Sequence, residues 1–161
     1  MEKIRVLFVC LGNICRSPLA EAVFNHKIKQ AGLAEHFEVD SCGTGDYHIG
    51  EPPDPRTLAN ARKNGIAVDH FCRQITEDDL SYFDYILTMD NSNLQNVMSL
   101  EGADQHSHKI SLLREFDPDG KGLEVPDPYF GGEEGFDLVY DILDRALDGF
   151  LDYVKQTHSV S

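Results

Sequence analysis

Residues 4–18 read IRVLFVCLGNICRSP. The first half has the character of a buried strand: Ile4, Val6, Leu7, Phe8 and Val9 are apolar, and most are β-branched or aromatic. The second half opens a helix, with Ser17 in a capping position and Pro18 where a first-turn proline fits. Between them lies the short loop CLGNIC, with a cysteine at each end and an arginine behind it. A buried strand running through a tight loop into a helix is the opening unit of an α/β fold.

The rest of the chain alternates in the same way. Phe37–Cys42, Tyr85–Thr88 and Lys109–Leu113 have strand character. Helices are expected from Ser17 to about Gln30, over Thr57–Asn64 with Gly65 closing it, and after Thr76, which forms a capping-box pattern with Asp79. Another is expected from Asn91 to about Leu100. The clearest comes last, where Phe136, Val139, Tyr140, Leu143, Leu147, Phe150, Leu151 and Val154 recur at helical spacing. Two long loops rich in glycine and proline, 43–56 and 117–135, interrupt the pattern. Alternation of this kind predicts an open parallel sheet covered on both faces. Ligands of such sheets sit beyond the carboxyl ends of the strands, where Cys10 stands.

With 161 residues, 41% of them hydrophobic and 26% charged, the chain is expected to form one soluble domain over 1–161. A net charge of −14 makes nucleic acid and an anionic membrane poor partners. No apolar run approaches the ~18 residues of a membrane span, and no export signal is visible. The four cysteines are therefore expected as free thiols in a reducing cytoplasm. The seven histidines are scattered, without metal-ligand spacing, so neither metal nor cofactor is expected.

The loop after the first strand carries the chemistry. Amide groups of a tight loop leading into a helix can converge on an anion, and the helix adds roughly half a positive charge at its start. Phosphate is the common occupant of such a place. Leu11, Gly12, Asn13, Ile14, Cys15, Arg16 and Ser17 would line it, and the Arg16 fork can hold two phosphate oxygens. The field is local, so an acidic protein can still bind a dianion. The same dipoles favour a thiolate at Cys10, a nucleophile aimed at phosphorus. Ser17 could hydrogen-bond that sulfur, and Asn13 is suited to a left-handed brace position. The nucleotide-binding pattern GxxxxGK[ST] is absent.

CLGNICRSPLAEAVF resembles the signature of the low-molecular-weight protein tyrosine phosphatases. The resemblance extends through DPR at 54–56, RQIT at 73–76, FDYILTMDNSNL at 83–94 and DPYF at 127–130, in the family's order. It implies a three-layer α/β/α fold with a four-stranded parallel sheet and the phosphate-binding loop after its first strand. It also implies that Cys10 is the nucleophile, that Arg16 binds phosphate and stabilises the transition state, and that Ser17 tunes the thiolate. Ser17, Ser41 and His70 would then hold Asn13 in its strained conformation. The implied substrates are phosphotyrosine proteins and small aryl phosphates, hydrolysed through a phosphocysteine, with inorganic phosphate as product and competitive inhibitor.

A tyrosyl oxygen leaving at neutral pH needs a proton donor. Sequence alone does not single one out among 28 carboxylates. Asp127 is a candidate because Pro126 and Pro128 stiffen its loop, and the resemblance makes it the general acid. Tyr47 and Tyr129 flank the expected mouth, either stacking on a substrate ring or simply packing the loops. Phe130 stands where relatives often have a second tyrosine. The resemblance also implies that Cys15 could trap oxidised Cys10 as a disulfide; Cys42 and Cys72 have no expected role. Two other activities share this fold. Arsenate reduction would want a resolving cysteine late in the chain, and none follows Cys72. Phosphoarginine phosphatases usually carry threonine where Ile14 stands.

Overall fold

The computed structural model describes residues 2–160. Four strands form one parallel sheet: β1 (Ile4–Cys10), β2 (Phe37–Gly43), β3 (Tyr85–Thr88) and β4 (Ile110–Leu112), in the order β2-β1-β3-β4. Five helices connect and cover them: α1 (Arg16–Gln30), α2 (Pro55–Lys63), α3 (Glu77–Tyr82), α4 (Asn91–Met98) and α5 (Glu133–His158).

The burial of β1 on both faces explains its near-continuous apolar run. Val6, Phe8 and Cys10 point into a core shared with α1 and α5, while Leu7 and Val9 point into a second core with Leu80 of α3 and Val97 of α4. Phe150 of α5 sits among Phe24, Tyr85 and Phe116, with ring centroids at 5.4, 5.3 and 5.0 Å. Burying a ring of this size contributes about 2–3 kcal/mol before entropy is counted. Strand order reverses about β1, whose neighbours β2 and β3 lie on opposite sides, so the carboxyl end of β1 is a switch point.

Several element boundaries differ from those expected. Helix α1 begins at Arg16 with Cys15 as its cap residue, and Ser17 lies inside it because the serine hydroxyl is engaged elsewhere. Helix α2 begins two residues earlier than expected, at Pro55, with the Asp54 carboxylate accepting from the Arg56 amide at 2.8 Å. Helix α5 begins at Glu133, inside the stretch expected as loop. Strand β4 is only three residues long, and Leu113 passes into a 3-10 turn, Leu113–Phe116.

That turn leads to a buried ionic hub. Asp117 accepts from Arg114 Nε at 2.9 Å, from Arg145 Nε and Nη2 at 2.7 and 3.0 Å, and from the Asp119 amide at 2.9 Å. Arg114 also donates to the Glu124 carbonyl at 2.8 Å, so α5, the turn and the following loop are tied together. The Arg145 guanidinium, against the opposing cost of burial, holds the Asp117 carboxyl down to about 2. A carboxyl depressed in the folded state stabilises above its unfolded value and loses that contribution as pH falls through the folded one. Asp117 therefore stabilises by about 2 kcal/mol above pH ~4, a contribution lost between about 4 and 2. Asp117→Asn leaves Arg114 buried without its countercharge and should cost about 3 kcal/mol at neutral pH. Urea unfolding at pH 7 and pH 3 checks this: the gap between wild type and variant should narrow at the lower pH.

Candidate active site

The loop between β1 and α1 is held by its carbonyls. Cys10 O accepts from the Thr44 amide and Leu11 O from the Gly45 amide, both at 2.9 Å, and Ile14 O accepts from the Asp54 amide at 2.8 Å. The carbonyl of Asn13 accepts from the Cys72 thiol at 2.8 Å. No backbone carbonyl among the described residues accepts from the amides of residues 11–15. The loop's acceptors thus bind the protein while its donors stay free for an anion. β2 approaches this loop so closely that a Cβ on Gly43 would lie 2.6 Å from Leu11 O; only glycine fits there.

Asn13 sits at φ 58°, the left-handed region expected for it. Its side chain is fully engaged. Nδ2 donates to Ser17 Oγ at 2.8 Å and to Ser41 Oγ at 3.1 Å. Oδ1 accepts from the Arg73 amide at 3.1 Å and lies 2.6 Å from His70 Nε2, which must carry the proton because the amide oxygen can only accept. Ser17, Ser41 and His70 thus surround Asn13. Ser17 Oγ lies 3.0 Å from Cys10 Sγ and 3.3 Å from the Cys42 carbonyl, so its single proton has two acceptors and the sulfur is nearer.

A further layer stands behind this brace. Ser41 donates to Glu21 Oε1 at 2.6 Å, and His70 Nδ1 lies 3.2 Å from the same oxygen. Burial pushes the Glu21 carboxyl up to about 7 and holds His70 below its ordinary range, so both tend toward their neutral forms. Glu21, Asp40 and His70 are close enough to share a metal ion. Their atoms are already engaged, however: Asp40 accepts from Arg73 Nε at 2.9 Å and from the Ser41 amide at 2.8 Å. The group therefore acts as support for the Asn13 brace.

Arg16 is 3% exposed and fixed from one side. Its Nη1 donates to Asp90 Oδ2 at 2.7 Å, at the end of β3, and to the Val125 carbonyl at 3.0 Å. Burial opposes its charge, but Cys10 and Asp90 outweigh that and hold the guanidinium above its ordinary range. Nη2 faces Asp127 Oδ2 at 3.7 Å. Asp127 is placed there by Val125, which is fully buried and donates its amide to Met89 O at 2.7 Å. The second Asp127 oxygen accepts from the Tyr129 amide at 3.0 Å, a local turn that fixes the carboxylate.

Cys10, Leu11, Gly12, Ile14, Cys15, Arg16, Tyr47, His48, Asp127, Tyr129 and Phe130 line one cleft of about 340 Å³. The candidate nucleophile, arginine, acid and aromatics therefore converge. Asn13, Ser17, Ser41 and His70 lie beneath the cleft, outside its lining. The Tyr129 ring lies 5.3 Å from the Arg56 guanidinium, while Tyr47 is largely exposed. Burial, with the Asp54 carboxylate adding to it, pushes the Cys15 thiol up to about 12, so Cys15 is neutral.

The sequence reading missed Gly43, Glu21, Arg73, Asp90 and His48. It also treated Cys72 as having no role, whereas its thiol holds the Asn13 carbonyl. Asp90 could have been found, since it follows a strand parallel to β1 and so emerges at the same sheet edge. Nothing in the sequence marks Cys72 or Glu21.

A family model described as low molecular weight phosphotyrosine protein phosphatase matches residues 5–160. The low molecular weight phosphotyrosine protein phosphatase of Schizosaccharomyces pombe is 48% identical over 151 residues, covering 93% of this chain and 96% of that one. Among solved structures, a protein tyrosine phosphatase from Entamoeba histolytica with Hepes in its active site superposes with a TM-score of 0.92, at 39% identity, covering 97% of this chain and 99% of that one. A Drosophila arginine phosphatase is similar at 34% identity and a TM-score of 0.84, covering 94% and 98%.

Proposed function

Since the chain belongs to the low molecular weight phosphotyrosine protein phosphatase family, we propose that it hydrolyses phosphotyrosine in proteins, and small aryl phosphates, through a phosphocysteine at Cys10. The observation that supports this most directly is the convergence of Cys10, Arg16 and Asp127 on one cleft, beside a loop whose amides at residues 11–15 have no backbone acceptor among the described residues.

The phosphoryl group docks with its oxygens on the amides of Leu11 to Ser17 and on the Nε–Nη2 edge of Arg16, the edge away from Asp90 and Val125. The arriving dianion takes the place of Asp127 as the anion facing Arg16 Nη2. Cys10 Sγ then attacks phosphorus in line, the P–O bond to the tyrosyl oxygen breaks, and Asp127 delivers its proton to that oxygen. In the second half, Asp127 takes a proton from water, the water oxygen attacks phosphorus and the P–S bond breaks. Ser17, within 3.0 Å of the sulfur, stabilises the departing thiolate. Inorganic phosphate leaves, and as an occupant of the same loop it inhibits competitively. No step calls for a metal or cofactor.

The same proposal takes residues 1–161 as one phosphatase domain and places the protein in the cytoplasm, with no nucleic-acid or membrane partner. No helix among the described residues is long and apolar enough to cross a membrane. Cys15 would resolve an oxidised Cys10 slowly, because its own thiol is held neutral by burial: sulfenic acid and thiol condense to a disulfide and release water. Ile14, which lines the cleft together with Tyr129, is bulkier and more apolar than the threonine usual in phosphoarginine phosphatases and so favours a phenyl ring over a guanidine.

Parallel turnover of phosphotyrosine, phosphoarginine and arsenate with a thiol reductant tests the assignment. Phosphotyrosine should have the highest kcat/KM, by a factor of at least about ten over phosphoarginine. Faster release of phosphate from phosphoarginine, or thiol-dependent formation of arsenite as the main activity, would replace it.

A further inference from the structure

We propose that the catalytic cleft continues into a second subsite that accepts a lysine or arginine side chain of the substrate, flanking the phosphotyrosine; the inference rests on the phosphotyrosine reading above. A neighbouring cleft of about 380 Å³ shares Ile14, His48 and Tyr129 with the cleft over Cys10. A peptide whose phosphotyrosine ring lies between Tyr47 and Tyr129 therefore has an adjoining residue within reach of the second cleft.

The walls of that cleft are apolar and stiff. Pro52, Pro53, Pro55 and Leu58 form them, and proline fixes its own backbone torsion, so little conformational entropy is lost when a ligand settles there. Two carboxylates also line it. Asp54 is unavailable, because it caps α2 and accepts from Arg56 Nε and Nη2 at 3.1 and 2.9 Å. Glu51 is available. Its side chain is 59% exposed, and its one hydrogen-bond contact among the described residues is His48 Nδ1 at 3.3 Å. Its backbone is nonetheless fixed, with Glu51 O accepting from the Cys72 amide at 2.8 Å. An apolar cleft with an available carboxylate in its lining matches a side chain with an apolar stem and a cationic head. A leucine would occupy the cleft without using Glu51. A glutamate would meet Glu51 and Asp54 in a protein of net charge −14.

The test uses three phosphotyrosine peptides identical except for lysine, leucine or glutamate on each side of the phosphotyrosine. Their kcat/KM values are measured at low ionic strength with wild type, Glu51→Gln and Glu51→Lys. Each value is divided by that for 4-nitrophenyl phosphate on the same protein. Wild type should prefer the lysine peptide over the glutamate peptide by about tenfold, and the ratio should shrink in high salt. Glu51→Gln should cut the preference about threefold, and Glu51→Lys should reverse it. Equal rates on all three peptides, a leucine peptide that is best, or an unchanged lysine preference in Glu51→Gln would each overturn the subsite. If 4-nitrophenyl phosphate and free phosphotyrosine are not hydrolysed at all, the phosphatase reading itself fails; if they are hydrolysed without peptide preference, only the subsite does.

Discussion

Replacing Cys10 with serine is expected to lower kcat on aryl phosphates by a factor on the order of 10⁵, while inorganic phosphate still binds within a few-fold of its wild-type affinity. The two outcomes separate because nucleophile and anion site are built from different atoms. In the proposed mechanism the anion site is made of backbone amides and Arg16, and Arg16 is fixed by Asp90 and Val125 rather than by the cysteine. Serine occupies nearly the same volume, so the loop and its Asn13 brace should persist. The lost element is a polarizable sulfur, intrinsically far more nucleophilic toward phosphorus than a hydroxyl. Steady-state hydrolysis of 4-nitrophenyl phosphate, together with calorimetric titration of phosphate, checks both halves. Retention of more than about 1% of activity would mean that another group attacks phosphorus.

Asp127→Asn should have the second largest effect, and its size should depend on the leaving group. For phenyl phosphate or phosphotyrosine, where the departing oxygen needs a proton, kcat/KM should fall by about 10²–10³. For 4-nitrophenyl phosphate, whose anion leaves unaided, the fall should be much smaller. Asparagine preserves the size of the side chain and can still accept from the Tyr129 amide, so the loop anchored by Val125 should hold its place. A plot of log kcat/KM against leaving-group pKa should therefore steepen in the variant. An equal loss across all leaving groups would assign Asp127 to binding rather than to proton transfer.

The sheet was legible because burial on both faces makes β1 and β3 nearly all apolar, a pattern no surface segment shares. The long helix α5 was legible through its unbroken stripe from Phe136 to Val154. Boundaries were less so, for definite reasons. Ser17 has the composition of a cap, yet its hydroxyl lies against the Cys10 sulfur and the helix starts without a side-chain cap. The DPR stretch at 54–56 contains a cap residue and a first-turn proline, but surrounding prolines and glycines made it read as loop.

Within the site, local chemistry was readable and long-range support was not. Cys10, Arg16 and Ser17 lie within one loop and helix start, so spacing alone brings them together. Ser41, His70 and Asp127 come from distant parts of the chain and were reached through family resemblance. Cys72 and Glu21 were not reached at all. A thiol holding a carbonyl, and a carboxyl buried behind a serine, depend on how β2 and the segment 70–73 pass beside the loop.

The central claim is that phosphorus is transferred to Cys10 on its way to water. Mass spectrometry of the enzyme denatured at neutral pH during turnover of 4-nitrophenyl phosphate tests it most directly. The account predicts a fraction of the protein heavier by one phosphoryl group, with fragmentation placing that group on Cys10. Unmodified protein throughout turnover, or a phosphoryl group on any other residue, would contradict it.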